Sequence, residues 1–270
     1  MRIEDCGVRI AIVVAMALAL RTVSVAQAPG GGPQSGTARV VTGQAVFRGT
    51  PPPEHLVDMS ADPGCPNTAR SPVRDEAIVV GQDGGLGNVF VYIRDGLDIR
   101  LPTLDAARVF DVPARPVVLD QRGCQFVPRV LGIRVGQPLE MVNSDPVLSN
   151  VHGHPVRNGE WNTGLPFQGL RFSHTFTEPE VMVPVKDDVH PWKAAFIGVV
   201  SHPFFAVSAA DGSFALDGVP PGRYTVDAWH ERFGTVTQQV VLGPGETQTL
   251  QFEFRSDPAA DQRLRAFHDR

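Results

Sequence analysis

The sequence predicts an all-β chain built of sandwiches. Three observations carry that prediction. Short runs rich in β-branched and aromatic residues recur at a spacing of roughly 8–12 residues, with turn signals between them. Glycine and proline are abundant, at 27 and 24 of 270 residues, which favours turns and short strands over long helices. Through Arg94, no stretch carries convincing 3.6-residue periodicity.

The chain opens on Ile10–Leu20 (IAIVVAMALAL), an apolar run of signal-peptide length that is too short to span a bilayer. Ala26-Gln27-Ala28 offers a small-x-small cleavage site. Residues 1–28 therefore read as a secretory signal, with an N-terminal membrane anchor as the alternative. Cys6 precedes the apolar run and is not a lipoprotein cysteine. Pro29–Thr37 (PGGGPQSGT) reads as a flexible leader.

The net charge is −5, and it becomes −6 without residues 1–28, which hold three Arg and two acids. Nothing basic is left to attract nucleic acid. The expected compartment is the periplasm or the exterior, with no membrane span in the mature chain. Two cysteines remain, Cys65 and Cys124. An even count in an exported chain suggests one disulfide, and two separate buried thiols are the alternative.

Ala38–Arg48 alternates around a glycine and reads as a strand, ended by Gly49-Thr50-Pro51-Pro52-Pro53. Residues 54–76 are polar and irregular. Ala77–Val80 is a short apolar run before the Gly84-Gly85 turn, and Asn88–Arg94 (NVFVYIR) is a clear strand. Pro116–Asp120, Gln125–Val130, Gly132–Val135 and Leu139–Val142 are further strands, separated by glycine or proline. Residues 147–168 are polar and read as one long loop. Arg171–Phe176 alternates. Val181–Val185 and Ala194–Val200 flank the tight polar loop Asp187-Asp188-Val189-His190. Beyond His202-Pro203 come strands at Phe204–Ser208, after the Asp211–Phe214 turn, and at Arg223–His230, Thr235–Leu242 and Thr247–Phe254. The end of the chain is charged.

Several of these stretches carry a family likeness. Gln125–Asp145 (QFVPRVLGIRVGQPLEMVNSD), Ser149-Asn150-Val151-His152 and Asp187–Lys193 (DDVHPWK) together resemble a cupredoxin, or plastocyanin-like, Greek-key sandwich over about residues 113–202. Phe205–Phe254 resembles the prealbumin-like sandwich of carboxypeptidase regulatory-like domains, also called carbohydrate-binding-like. Asp211-Gly212-Ser213-Phe214 and Val219–Tyr224 (VPPGRY) carry that likeness. Residues 38–50 have the form of that module's first strand. The resemblance implies a discontinuous sandwich, about 38–112 plus 203–255, with the cupredoxin-like domain at 113–202 inserted and a charged tail at 256–270. Similar periplasmic bacterial proteins join the same two elements, some under the name of a rhamnogalacturonan-lyase-type domain.

A blue-copper centre needs two imidazoles, a thiolate and a weak axial thioether. Position by position, the resemblance puts Ser149, Asp187, His190 and Lys193 at those places. Only His190 can act as the family's ligand does. Ser149 is a poor ligand when neutral, Asp187 is hard where soft sulfur is wanted, and Lys193 brings a cation. The expectation is therefore no ordinary electron transfer and no cofactor. An alternative is a Cu or Zn ion held by His190, Asp187 and His152, with His154 as a substitute. Against it, Asp187 or Asp188 serves as hydrogen-bond partner of His190, and Lys193 pairs with Asp187 where copper would sit.

Other candidates are weaker. His202 before Pro203 reads as a turn histidine. His230-Glu231 could exchange protons but sits at a strand end. No nucleophile elbow or phosphate loop is present. Trp161 lies in the stretch read as a polar loop and is expected to be exposed, a candidate contact for a glycan or an envelope protein. The first expectation is thus a non-enzymatic binding or scaffold protein, and the second a metal-binding one. A polysaccharide-processing role rests on fold likeness alone.

Overall fold

The computed structural model describes residues 40–65, 72–97 and 110–256. The expected signal and leader, and the tail beyond residue 256, lie outside the described residues. Among the described residues sixteen strands are found, in chain order. They are β1 (Val40–Arg48), β2 (Phe90–Asp95), β3 (Val117–Arg122), β4 (Gln125–Val127), β5 (Val130–Arg134), β6 (Pro138–Asn143), β7 (Ser149–Gly153) and β8 (Trp161–Leu165). Then follow β9 (Arg171–Thr175), β10 (Glu180–Lys186), β11 (Ala194–Val200), β12 (Phe205–Val207), β13 (Ser213–Asp217), β14 (Gly222–His230), β15 (Gly234–Leu242) and β16 (Thr247–Arg255). Among the described residues no helix is long and apolar enough to cross a membrane.

The strands form two pairs of sheets. One pair has the orders β13-β1-β16 and β12-β2-β14-β15. The other has β5-β11-β10-β7-β8 and β4-β3-β6-β9. In the chain, β3–β11 therefore fall between two strands of the first pair. Each pair encloses its own core. Val41, Phe47, Val91, Leu216, Val226 and Phe252 fill the first, and Leu119, Ile133, Met141, Phe176, Val183 and Ile197 the second. Strands lining a single core alternate, as in β16, where Leu250, Phe252 and Phe254 point inward between exposed neighbours.

β11 (AAFIGVV) is buried along its whole length because both its faces are covered. Ala195, Ile197 and Val199 face the second core, whereas Phe196 and Val200 join Phe90 and Val130 in a third cluster where the two pairs meet. Glycine makes this contact possible. In the parallel β5–β11 register Gly132 lies beside Gly198. A Cβ on Gly198 would come within 2.3 Å of the Phe90 ring, and one on Gly132 within 2.3 Å of the Phe205 ring. A buried ion pair ties the same junction. The Arg129 guanidinium grips Glu231 in two-pronged fashion, Nε to Oε2 at 2.8 Å and Nη2 to Oε1 at 2.9 Å.

Some expectations fail. Residues 147–168 are not one loop, because they hold β7, β8 and their pairing, Ser149 with Leu165 through Gly153 with Trp161. The inward positions of β7 are Ser149, Val151 and Gly153, so buried small and polar residues hid the alternation. Trp161 is consequently not exposed. Its ring covers Gly153, where a Cβ would lie 2.1 Å from it, and stacks on His174 with centroids 4.1 Å apart. Only 7% of Trp161 reaches solvent, so it cannot present a ring to a glycan. The expected Gln125–Val130 strand is two strands, β4 and β5, and Ala77–Val80 contributes only a Val80–Leu86 bridge.

Candidate functional site

The β10–β11 connection, residues 187–193, is held by its own first residue. The Val189 and His190 N–H groups donate to Asp187 Oδ1 at 2.8 and 2.9 Å, which closes the tight turn. The Asn150 N–H, from β7, donates to Asp187 Oδ2 at 3.2 Å and ties the turn to the neighbouring strand. Pro191 and Trp192 then return the chain, and the Trp192 indole donates to Cys124 O at 3.0 Å.

Inside this turn lies a closed polar network. Lys193 Nζ donates to Asp187 Oδ2 at 3.1 Å and to His190 Nδ1 at 3.0 Å. His190 Nε2 faces Asp62 Oδ2 at 2.9 Å. His190 Nδ1 also lies 3.0 Å from Asp187 Oδ2, so the ring stands between two carboxylates, Asp187 at Nδ1 and Asp62 at Nε2, with the Lys193 ammonium beside Nδ1. The side chains of Asp187, His190 and Lys193 are sealed from solvent. Burial lowers the Lys193 pKa, and the adjacent Asp187 carboxylate opposes that shift. Ser149 Oγ, wholly buried at the head of β7, has no hydrogen-bond partner among the described residues.

A loop from the far end of the chain forms the cover. Asp62 is steadied by the Gly64 N–H at 2.7 Å, and the hydrogen bond from His190 holds its carboxyl below the usual range. Three residues on, Cys65 is bonded to Cys124, as the even cysteine count suggested. Cys124 sits in a left-handed conformation (φ 57°), fixed by Asp145, which accepts from the Gly123 and Cys124 N–H groups at 2.8 and 2.7 Å. Met59, Cys65, Cys124, Val147 and Trp192 pack together beneath this cover.

The structure separates the residues proposed from sequence as one metal set. His190 and Asp187 lie together, but His152 points outward from β7 and does not join them. Strand alternation puts Ser149 on the buried face and His152 on the other. His152 Nδ1 instead faces Asp188 Oδ2 at 3.0 Å, and its Nε2 faces Glu160 Oε1 at 2.6 Å. His154 lies beside it, with ring centroids 3.8 Å apart. Asp62 and Glu160 were missed. Neither sits in a motif, and both reach their partners only through tertiary pairing.

The two other histidines weighed from sequence, His202 and His230, are structural. His202 Nε2–H donates to Ile93 O at 2.8 Å, and the Phe204 N–H donates to its Nδ1 at 3.2 Å. His230 stacks on Phe233, and burial pushes its pKa down to about 3. Its neighbour Glu231 is committed to Arg129, so the two do not form an accessible acid–base pair.

The carboxypeptidase regulatory-like domain family matches residues 187–255, a stretch that begins in the polar turn and includes β11 as well as β12–β16. Among curated proteins, none matches the chain. Three solved structures are similar to part of the chain. A Cu-containing nitrite reductase (NirK) from Thermus scotoductus SA-01 is 27% identical over 36% of this chain, with a TM-score of 0.30, and only 27% of its own length is covered. A reduced amicyanin variant is 24% identical over 36% of this chain and 90% of its own, with a TM-score of 0.29. A purple cupredoxin from Nitrosopumilus maritimus is 23% identical over 33% of this chain and all of its own, with a TM-score of 0.27. Over residues 187–255 the chain is thus similar to a carboxypeptidase regulatory-like domain.

Proposed function

We propose that this chain is a non-enzymatic binding or scaffold protein of an oxidising, exported compartment, whose cupredoxin-like sandwich has exchanged its copper for an internal ion pair. One observation carries the reading: the Lys193 ammonium lies 3.1 Å from Asp187 and 3.0 Å from His190 Nδ1, with no solvent access. The residues present do not fit a blue-copper ion. One imidazole remains, the sulfur near it, Cys65 Sγ, is bonded to Cys124 and is no thiolate, and a cation at that point would meet the ammonium. The Cys65–Cys124 bond supports the compartment.

The same end of the sandwich supports a binding role. The connections 144–148, 166–170 and 187–193 converge there, and Leu148, Phe167, Leu170 and Val189 are exposed on them. Apolar side chains gathered at one end suit a protein partner. The test is visible absorption and voltammetry of the purified protein after Cu²⁺ loading. No intense thiolate-to-copper band and no reversible couple are expected. A blue protein would overturn the reading.

A further inference from the structure

We propose a second site, independent of the buried network: a zinc(II) site on the solvent face of the β7–β8 hairpin, held by His152, His154 and Glu160 and oriented by Asp188. Strand periodicity puts residues 152 and 154 on one face. The hairpin register pairs His152 with Asn162 and Gly153 with Trp161, so its continuation sets Glu160 opposite His154. Glu160 Oε1 lies 2.6 Å from His152 Nε2 and 4.0 Å from His154 Nδ1. The three donor atoms lie within 4.8 Å of one another. Ligands of a tetrahedral zinc ion at about 2.0–2.1 Å stand roughly 3.3 Å apart, so rotation of exposed side chains closes the set.

The support for the ring is what distinguishes this cluster from a surface ion pair. Asp188 stands 3.0 Å from His152 Nδ1, and Asp188 is itself held by the Asn162 amide at 2.8 Å. Nδ1–H therefore donates to Asp188, and Nε2 is directed at the place where Glu160 and His154 converge. A metal-bound imidazole is oriented by a carboxylate in this way. Two imidazoles and one carboxylate suit zinc or copper(II) over calcium or magnesium, and three protein ligands leave one position for water. Lys186, paired with His152 across β10 and β7, is the neighbouring cation, set against the two carboxylates.

The experiment is calorimetric titration of the mature protein with ZnCl₂, beside His154→Ala, Glu160→Gln, Asp188→Asn and Asp62→Asn variants, each checked for folding by circular dichroism. One equivalent of zinc is expected in the wild type. His154→Ala, at a half-buried position, and Glu160→Gln, at an exposed one, are expected to abolish uptake. Asp188→Asn is expected to weaken it about 10–100-fold without changing stoichiometry. Asp62→Asn is expected to bind as the wild type does, which keeps this test separate from the buried network. Absence of stoichiometric zinc, or uptake indifferent to His154→Ala, would overturn the proposal. Loss of zinc in Asp62→Asn would do the same, by placing the ion beside His190.

Discussion

Lys193 Nζ and His190 Nδ1 stand 3.0 Å apart in a pocket closed to water, the ammonium shared with Asp187. An ion pair so enclosed is weak evidence for stability as a whole, but removing one partner strands the other. Lys193→Met should therefore destabilise the protein by about 3–5 kcal/mol, because Asp187 keeps its N–H donors and the His190 ring but loses the ammonium. Urea unfolding measures this. The double variant Lys193→Met/Asp187→Asn should recover part of the loss, and a double no better than the single would mean the charge is not what matters.

If the network has replaced a copper centre, the frame should accept the metal back. Ser149→His, Asp187→Cys and Lys193→Met, made together with His190 kept, supply two imidazoles, a thiolate and a thioether. Copper(II) loading should then give an intense visible thiolate band that the wild type lacks. A triple variant that folds, binds copper and stays colourless would show that the four positions do not converge on one point.

The cover over His190 depends on the disulfide. Cys65 and Cys124 are 59 residues apart, and loss of that closure should cost roughly 4 kcal/mol of stability. Cys124→Ser should also free the Asp62 loop, so the backbone amides of residues 57–65 should exchange hydrogen faster than in the wild type. Unchanged exchange there would mean that packing around Met59 and Trp192 holds the loop by itself.

The two sheet pairs meet through bare backbone at Gly132 and Gly198. Gly198→Ala puts a methyl 2.3 Å from the Phe90 ring, which is enclosed and cannot swing aside. Overpacking of this kind costs about 1–3 kcal/mol. Combining Gly198→Ala with Phe90→Leu should cost less than the sum of the two changes, and strict additivity in thermal unfolding would count against the contact.

Much of this was legible along the chain and some was not. β-branched alternation marked β1 and β16, because those strands line one core. The turn before His190 was legible because Asp187 caps its own two successors, an entirely local bond. Asp62 was not, since it meets His190 across 128 residues and no local pattern announces that. β7 and β8 were hidden because Ser149 and Gly153 occupy buried positions that ordinarily carry apolar side chains, with Gly153 empty to admit the Trp161 ring. That ring then read as exposed when it is core. His152 was grouped with His190 through the cupredoxin resemblance on the condition that the loop bends, whereas β7 continues straight through His152 and alternation sends it to the face opposite Ser149.

The buried histidines set the acid limit of the fold. His202 joins β11 to β12 and is fully hydrogen-bonded as a neutral ring, donating from Nε2 to Ile93 O and accepting the Phe204 N–H at Nδ1. A second proton would have to go on Nδ1, against that N–H and near the Arg134 guanidinium. Burial, with Arg134, pushes the pKa from 6.5 down to about 4. The unfolded chain therefore binds a proton that the folded one refuses, and stability is lost as pH falls below 6.5. The expected slope is about 1.4 kcal/mol per pH unit for each such histidine, and His230, lowered to about 3, adds in the same sense. His152 is raised, since Glu160 and Asp188 outweigh its burial, so its contribution is complete below 6.5 and is lost only as pH rises above that. The lowered carboxyls of Asp62, Asp188 and Glu180 keep their stabilisation above their ordinary values, 3.8 for Asp and 4.5 for Glu. The window from pH 6.5 to 4.5 thus excludes the lowered carboxyls and leaves the histidines together with Glu231, which burial raises and which acts in the opposite sense. Urea midpoints across it should fall steeply for the wild type and less steeply for His202→Asn, whose amide cannot take up the proton. Parallel profiles would mean that His202 is not what the acid attacks.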